Sequence, residues 1–276
     1  MRNWKISPRN STVAKYIDCY WFLEKSQTDL GPEHPKLNPD PAGHLILARS
    51  QQRYLYKHEC GSTVGHGSHL ILPHCKTVLM DHSCPFLILG IKFQVGALYS
   101  LQFPTPQPIL DHVISIDVEK RFQLKTFNEE KILTQTMGQS ELCRDVLDKL
   151  LIPFLSEHHE DTRSELVRKA LAIISGTPLS KMGAELGCSQ RSIERSFLRV
   201  TGLTLKQYYS MERLEAMLNY LHKLDATEIQ WADIAMQFGF SDQPHLVRYL
   251  KNSIGSTPGN YARQRDLAID VYGNFE

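Results

Sequence analysis

An internal repeat in the C-terminal half constrains this chain more than any other feature. Leu179–Tyr208 reads LSKMGAELGCSQRSIERSFLRVTGLTLKQY, and Trp231–Tyr261 reads WADIAMQFGFSDQPHLVRYLKNSIGSTPGNY. Gly187 matches Gly239, Ser189 matches Ser241, Arg195 matches Arg248, Gly202 matches Gly255 and Tyr208 matches Tyr261. The offset is 52 at the first two pairs and 53 afterwards, which predicts one extra residue early in the second helix of the second copy. Such a period means one supersecondary unit used twice, and two copies are too few for a solenoid.

Each copy has the grammar of two short helices joined by a tight turn. In the first, Thr177-Pro178 supplies an N-cap and a proline at the first helical position. Met182, Ala184 and Leu186 supply inner contacts, and Gly187 ends the helix in the left-handed conformation. Ser189 caps a second helix whose Ile193 and Phe197 face inward, leaving Gln190, Arg191, Glu194 and Arg195 outside. In the second copy Asp225 and Glu228 have capping-box spacing, and Ile234, Ala235 and Phe238 form the inner face. Gly239 is the stop, Ser241 the cap, and Pro244 lies in the first turn. Leu246 and Leu250 point inward, while Gln243, His245, Arg248 and Lys251 point outward. Between the copies, Thr204 and Gln207 form a capping box, and Met211, Leu214, Leu218 and Leu221 make one apolar stripe. A helix over 204–221 is about 27 Å long at ~1.5 Å per residue. That approaches the ~34 Å of a DNA turn, so one chain can present two reading helices to successive major grooves.

Charge follows the same division. Residues 162–265 hold 14 Lys/Arg and 9 Asp/Glu, while the stretch from Asp266 onward holds three acids and no base. The whole chain of 276 residues therefore carries a formal charge of only +1 while containing a basic helical half. The outward residue types suit base edges: Arg for guanine, Gln for adenine, Glu for the cytosine amine. Helix caps and neighbouring Lys or Arg side chains suit phosphates. Glu194 also has the spacing to pair with Arg191 on its own helix.

The first 120 or so residues read as strands. Ile17–Leu23, His44–Leu47, His69–Leu72, Thr77–Met80 and Phe86–Phe93 are short β-branched or aromatic runs separated by Gly, Pro, His and Asp. They predict a sandwich or barrel, hence an α+β chain overall. From about Phe127 the texture turns helical, and Ser140–Leu155 carries Leu142, Val146, Leu150 and Phe154 on one face, with Leu147 and Leu151 beside them. Ser140 is placed to cap that helix and Pro153 to end or kink it. The polar stretch Glu157–Asp161 reads as a linker. The expected division is a sensor or effector region over 1–160, a DNA-binding region over 161–265 and an acidic tail over 266–276.

The helical half resembles the DNA-binding domain of AraC/XylS-family transcription regulators over roughly 163–265. Its second unit carries the pattern in Ile234-Ala235, Gly239-Phe240, Asp242-Gln243, Leu246, Arg248, Gly255, Thr257-Pro258 and Tyr261. Pro244 departs from it, since a small hydroxyl residue is common there. By position, the resemblance implies base readout by Arg191, Glu194 and Arg195 in the first unit and by Gln243, His245 and Arg248 in the second. Lys206 and Lys251 become backbone contacts, together with the caps Ser189 and Ser241 and with Gln190. The first 120 residues are similar to a sensor domain of this family at Tyr20-Trp21, Pro39-Asp40, Gly43-His44-Leu45 and Gly90-Ile91-Lys92-Phe93. That likeness implies a cupin-like β-barrel followed by dimerisation helices. The implied partners are double-stranded DNA, RNA polymerase, a small effector and a second copy. The sequence leaves open whether such a regulator is an activator or a repressor.

A cupin-type metalloenzyme with a helical appendage is the alternative. His58, Cys60, His66, His69, His74, Cys75, His82 and Cys84 crowd one stretch, but their spacing matches no HExxH, paired CxxC or His-x-His set. Gly65-His66-Gly67 reads as a loop, and no GxSxG elbow or carboxylate pair stands out. No metal, cofactor or catalytic residue is therefore assigned. No apolar run approaches the ~18 residues a bilayer requires, and no signal-peptide core follows Met1-Arg2-Asn3-Trp4-Lys5. The expectation is a cytoplasmic protein without a membrane partner. Its six scattered cysteines are expected as thiols.

Overall fold

The computed structural model describes every residue except 59–60, 107–108, 125–126, 136–138 and 273–276. The N-terminal half is built on strands β1 (Arg2–Ile6), β2 (Ile17–Lys25), β3 (Lys36–Leu37), β4 (His44–Ala48), β5 (Arg53–His58), β6 (Gly61–His66), β7 (His69–Ile71), β8 (Val78–Met80), β9 (Phe86–Phe93) and β10 (Val113–Ser115). They form two open sheets, one ordered β1-β2-β9-β4-β7-β10 and the other β3-β8-β5-β6. Every strand pairing within them is antiparallel. The loop expected at Gly65-His66-Gly67 begins later than its glycines suggest. Gly65 and His66 pair with Tyr54 and Arg53 in the β5–β6 hairpin, and only Gly67 turns.

The larger sheet is apolar on both faces, because each face has something to cover it. Tyr20, Phe22, Leu45, Leu47, Leu89, Ile91 and Phe93 share a core with the N-terminal half's helices. The alternate residues Trp21, Leu23, Ile46 and Ile88 face the smaller sheet, as a period of two requires. The covering helices are α1 (Ser11–Ala14), α2 (Ala97–Ser100), α3 (Val118–Arg121), α4 (Glu129–Gln135) and α5 (Ser140–Ser156). Helix α5 runs through Pro153 instead of ending there, and its N-cap is Gln139, not Ser140. It buries Cys143, Leu147, Leu151, Phe154 and Leu155. The expected stripe is therefore split: Phe154 is buried, Val146 and Leu150 are half-buried, and Leu142 is 43% exposed.

The C-terminal half is helical: α6 (Thr162–Ile173), α7 (Met182–Glu185), α8 (Gln190–Thr201), α9 (Leu205–His222), α10 (Trp231–Gln237), α11 (Gln243–Ile254), α12 (Pro258–Gln264) and α13 (Ala268–Tyr272). The stretch 157–161 before it is anchored. Tyr16 donates to the His158 carbonyl (2.9 Å), Glu160 pairs with Lys15 and Arg168, and Asp161 caps α6 by accepting from Ser164 N. Two cores divide this half along α9. Leu205, Tyr208 and Met211 join Met182, Ile193, Phe197 and Val200 in the first. Leu214, Met217, Leu218 and Leu221 join Ile234, Leu246, Leu250 and Ile254 in the second. The single stripe read along α9 thus serves two cores in turn.

Candidate nucleic-acid interface and sheet cavity

The first unit opens on a 3₁₀ turn, Leu179–Lys181, so Thr177 and Pro178 do not start the α-helix. Met182 is buried, Leu186 half-buried and Ala184 exposed. The inner small residue is Gly183, packed against Cys188 and Gln190. Gly187 and Gly239 both take positive φ, as their stop positions required. Ser189 caps α8 by accepting from Ser192 N. Ile193, Phe197 and Val200 are fully buried, contributing roughly 1.5–3 kcal/mol each and fixing which face looks outward. On that face Arg191, Glu194 and Arg195 are exposed. Glu194 pairs with Gln190, whose Nε2 donates to Glu194 Oε1 (3.2 Å), and not with Arg191. Gln190 Oε1 also accepts from Gly183 N (3.3 Å), which ties α8 to α7.

The second unit differs at its cap. Asp242, not Ser241, caps α11, accepting from His245 N at 2.6 Å. Helices α8 and α11 each have 12 residues. The extra residue of the second copy therefore sits in the turn before α11, and Ser189 corresponds to Asp242. On that register Gln190 matches Gln243 and Arg195 matches Arg248. Ser241 instead holds His245, its N–H and Oγ lying 3.4 and 3.2 Å from Nδ1. The Asp225–Glu228 pair makes a turn, with Asp225 N donating to Glu228 Oε2 (3.0 Å), and α10 starts only after Gln230. Arg213 of α9 stacks on Phe240 and Tyr249 at 4.1 and 4.9 Å, locking α11 to the long helix. Gln243, Arg248 and Lys251 are exposed, as is Lys206 at the start of α9, whose capping box is present. Among the described residues Arg191, Arg195, Lys206, Arg248 and Lys251 have no ion pair, so their donors are available to an anionic partner.

A second feature lies between the two sheets. A cavity of about 170 Å3 is lined by Trp21, Ile46, Tyr56 and Met80, and closed by Leu218 of α9 and by α13. Gly90 makes room for its wall, since a Cβ there would meet the Trp21 indole at 1.9 Å. In its lining Asp40 accepts from Lys92 Nζ (2.8 Å) and lies 3.0 Å from His44 Nε2. Burial opposes its charge, yet Lys92 and His44 outweigh burial and hold the carboxyl far below the usual range. Trp21 Nε1 donates to His44 Nδ1 (3.3 Å), which leaves Nε2 to carry the proton toward Asp40. These residues come from the stretches that carried the sensor-domain likeness, but sequence reading gave none of them a role.

The His/Cys-rich stretch spreads over both sheets. His69 bonds Tyr56 Oη (2.8 Å), His74 lies between the Leu72 and Asn38 carbonyls, His82 meets Tyr272, and His66 and Cys84 are exposed. Cys60 lies outside the described residues. Among the described residues no three His, Cys, Asp or Glu side chains are grouped to hold a metal ion, and no helix is long and apolar enough to cross a membrane.

Comparison with known proteins covers both halves. Residues 182–264 match a family described as a helix-turn-helix domain, and residues 5–115 match one described as a domain of unknown function, DUF6597. The transcriptional activator NphR of Rhodococcus sp is 33% identical over 86 residues, 31% of this chain and 24% of that protein. The HTH-type transcriptional activator RhaR of Klebsiella pneumoniae is 32% identical over 111 residues, 38% of each. This chain thus spans well under half the length of either relative. The crystal structure of an apo ToxT variant from Vibrio cholerae is 12% identical with a TM-score of 0.48, covering 94% of this chain and 99% of that one. The paired units, their caps and the match over 182–264 agree: the C-terminal part of the chain is a helix-turn-helix domain, the part that carries the resemblance to AraC-type regulators.

Proposed function

We propose that the protein is a sequence-specific DNA-binding regulator of transcription whose sheet half responds to a small molecule. The observation that carries this reading is the matched pair Arg195 and Arg248. Each stands at the same place on a twelve-residue helix, exposed and without an ion pair among the described residues, on units joined by one helix. In this reading Arg191, Glu194 and Arg195 read bases through α8, and Gln243, His245 and Arg248 read them through α11. Ser189, Gln190, Ser241, Lys206 and Lys251 contact the phosphate backbone. Residues 1–160 act as the sensor, 161–265 as the reader, and 266–276 as a C-terminal appendage.

The facing sheets act as a flattened cupin-like barrel, and the cavity between them is the effector site. The relatives' names support activation; in this reading RNA polymerase is the partner and the cytoplasm the location. The half-exposed Leu142, Val146 and Leu150 of α5 offer a face to a second copy. The chain acts by binding and not by turnover. The test is binding of the full chain to fragments of its source genome across a salt series. Affinity should fall linearly on a log–log plot as counterions are released. Salt-independent binding, or none to any fragment, refutes the reading.

A further inference from the structure

The C-terminal segment has two faces that serve two different parts of the molecule. Leu267 and Ile269 are buried in the core of the second helix-turn-helix unit. Ala268, Val271 and Tyr272 are packed into the space between the sheets with Leu23, Ile46 and Ile71. On the reader side Arg265 donates to the Leu221 and Leu224 carbonyls, both at 2.9 Å, and Tyr261 Oη donates to Asp270 Oδ1 at 3.0 Å. On the sheet side Lys36 N donates to the Asp266 carbonyl (2.8 Å), and Lys36 Nζ pairs with Asp266 Oδ2 (2.7 Å). Asn3 Nδ2 donates to the Tyr272 carbonyl at 2.9 Å, and Tyr272 Oη is hydrogen-bonded to His82 Nδ1. A five-residue helix has no stability of its own, so these contacts alone hold it in place.

Tyr272 therefore sits as a ligand would sit. The residue is 6% exposed among apolar side chains, its hydroxyl meets one buried imidazole, and His82 is itself backed by Phe86 at 4.3 Å between ring centroids. The space beside it, about 170 Å3, is comparable to the ~150 Å3 apolar cavity known to take up benzene. We propose that Tyr272 is a tethered occupant of this site, and that a free aromatic hydroxyl compound binding against His82 displaces it. Displacement releases α13 from the sheets and loosens the second helix-turn-helix unit, which Leu218 of α9 then seats against the cavity wall. A ligand shifts such an equilibrium only by preferring one state, and here the preference is built in, because ligand and Tyr272 compete for one place. The effect on DNA rests on the function proposed above; the competition does not.

The probe is 4-methylphenol, the side chain of tyrosine without its backbone, used on the full chain. It should bind Tyr272→Ala at least tenfold more tightly than wild type, since the variant has no ring to expel. Toluene, lacking the hydroxyl, should bind the variant several-fold more weakly than 4-methylphenol. In wild type, saturating 4-methylphenol should speed amide hydrogen exchange across residues 266–272. It should also move the DNA dissociation constant in the direction, and by the factor, that Tyr272→Ala does, with no further shift when added to the variant. If Tyr272→Ala does not fold, Tyr272→Phe takes its place: only the hydroxyl is lost, and 4-methylphenol should then bind several-fold more tightly than to wild type. Equal affinity for wild type and variant, no preference over toluene, or unchanged exchange over 266–272 each overturns the proposal. Absence of DNA binding by the wild type sinks the functional reading instead, and leaves the affinity and exchange measurements to decide this one.

Discussion

The first helix-turn-helix unit meets the sheet half through close backbone approach. A Cβ on Gly202 would lie 2.6 Å from Ile109, and one on Gly96 would lie 2.7 Å from Val200. Val95, Tyr99 and Leu110 of the sheet half pack into this unit's core. The second unit meets the sheet half through α13, a short segment with a ring at its end, and through Leu218 of α9 at the cavity. One contact is a jigsaw fit that admits a single arrangement; the other is a plug with polar anchors. Two copies of one motif are thus docked by different kinds of contact, and the proposal above requires the second to be the more easily released.

The largest effect is expected from one substitution made at matched positions. Gly202 and Gly255 both end their helices at positive φ, +77° and +67°. Alanine at either carries the left-handed penalty of about 1–2 kcal/mol. At Gly202 the new methyl also meets Ile109 and Leu110, adding overpacking of about 1–3 kcal/mol, whereas nothing lies within 4 Å at Gly255. Gly202→Ala should therefore destabilise by about 2–5 kcal/mol and Gly255→Ala by about 1–2 kcal/mol in denaturant melts. Equal losses would mean that the first unit is no more tightly seated than the second.

Acid should separate the two contacts. Burial, reinforced by Lys25 and His34 and opposed by Asp81, pushes His82 down to about 4. A histidine depressed in the folded state supports folding above its unfolded value near 6.5, and that support is lost as pH falls from there toward 4. The loss amounts to at most about 3 kcal/mol. His82 holds Tyr272, so the loss falls on α13. His69, also at about 4, weakens the sheet half generally over the same window, so the readout must be local. Hydrogen exchange corrected for intrinsic rate should show residues 266–272 losing protection between pH 6.5 and 4.5 while α8 keeps its own. Loss in both together would break the distinction.

The repeat could be read from sequence because its landmarks act locally: glycines that need positive φ, a polar cap, apolar residues spaced by a helical turn. The cap of α11 is ambiguous in sequence because Ser241 and Asp242 are both cap formers, and only the backbone at Asp242 chooses between them. That choice also sets the correspondence of Gln190 with Gln243. In the sheet half, β2 and β9 were legible as apolar runs. Strands β5 and β6 carry Lys57 and Ser62 on exposed positions and Thr63 on a half-buried one, and give no such run. The cluster of Asp40, His44 and Lys92 joins the stretch 40–44 to the distant strand β9, so nothing local announces it. Tyr272 was hidden among acids, in a segment too short to show a period.

The matched arginines test whether the freedom of the second unit matters for reading. Arg195→Ala and Arg248→Ala should each weaken specific DNA binding by about 1–3 kcal/mol and relax preference at particular bases. Lys206→Ala should weaken all sequences alike and lower the salt slope by about one. Competition assays on a randomised site would show two separate positions losing preference. If both arginines relax the same position, the two helices do not read separate places. If all three variants lose affinity uniformly, neither arginine reads bases.

The smallest effect concerns the caps, where the two units depart in chemistry. Ser189→Ala and Asp242→Ala each remove one acceptor from a helix start and should cost about 1 kcal/mol of stability. Asp242 also carries a charge beside Arg248; accepting from His245 N, it is held below the ordinary carboxylate range. If this face meets phosphates as proposed, neutralising it removes a like charge from the contact, so Asp242→Asn should keep the cap and tighten DNA binding modestly at low salt. Ser189→Asp should do the reverse in the first unit, keeping the cap and weakening DNA binding. Ser241→Ala should leave helix stability unchanged, because Ser241 is not the cap, and should alter readout only through His245. A stability loss near 1 kcal/mol at Ser241 with none at Asp242 would reverse the assignment and return the extra residue to the helix.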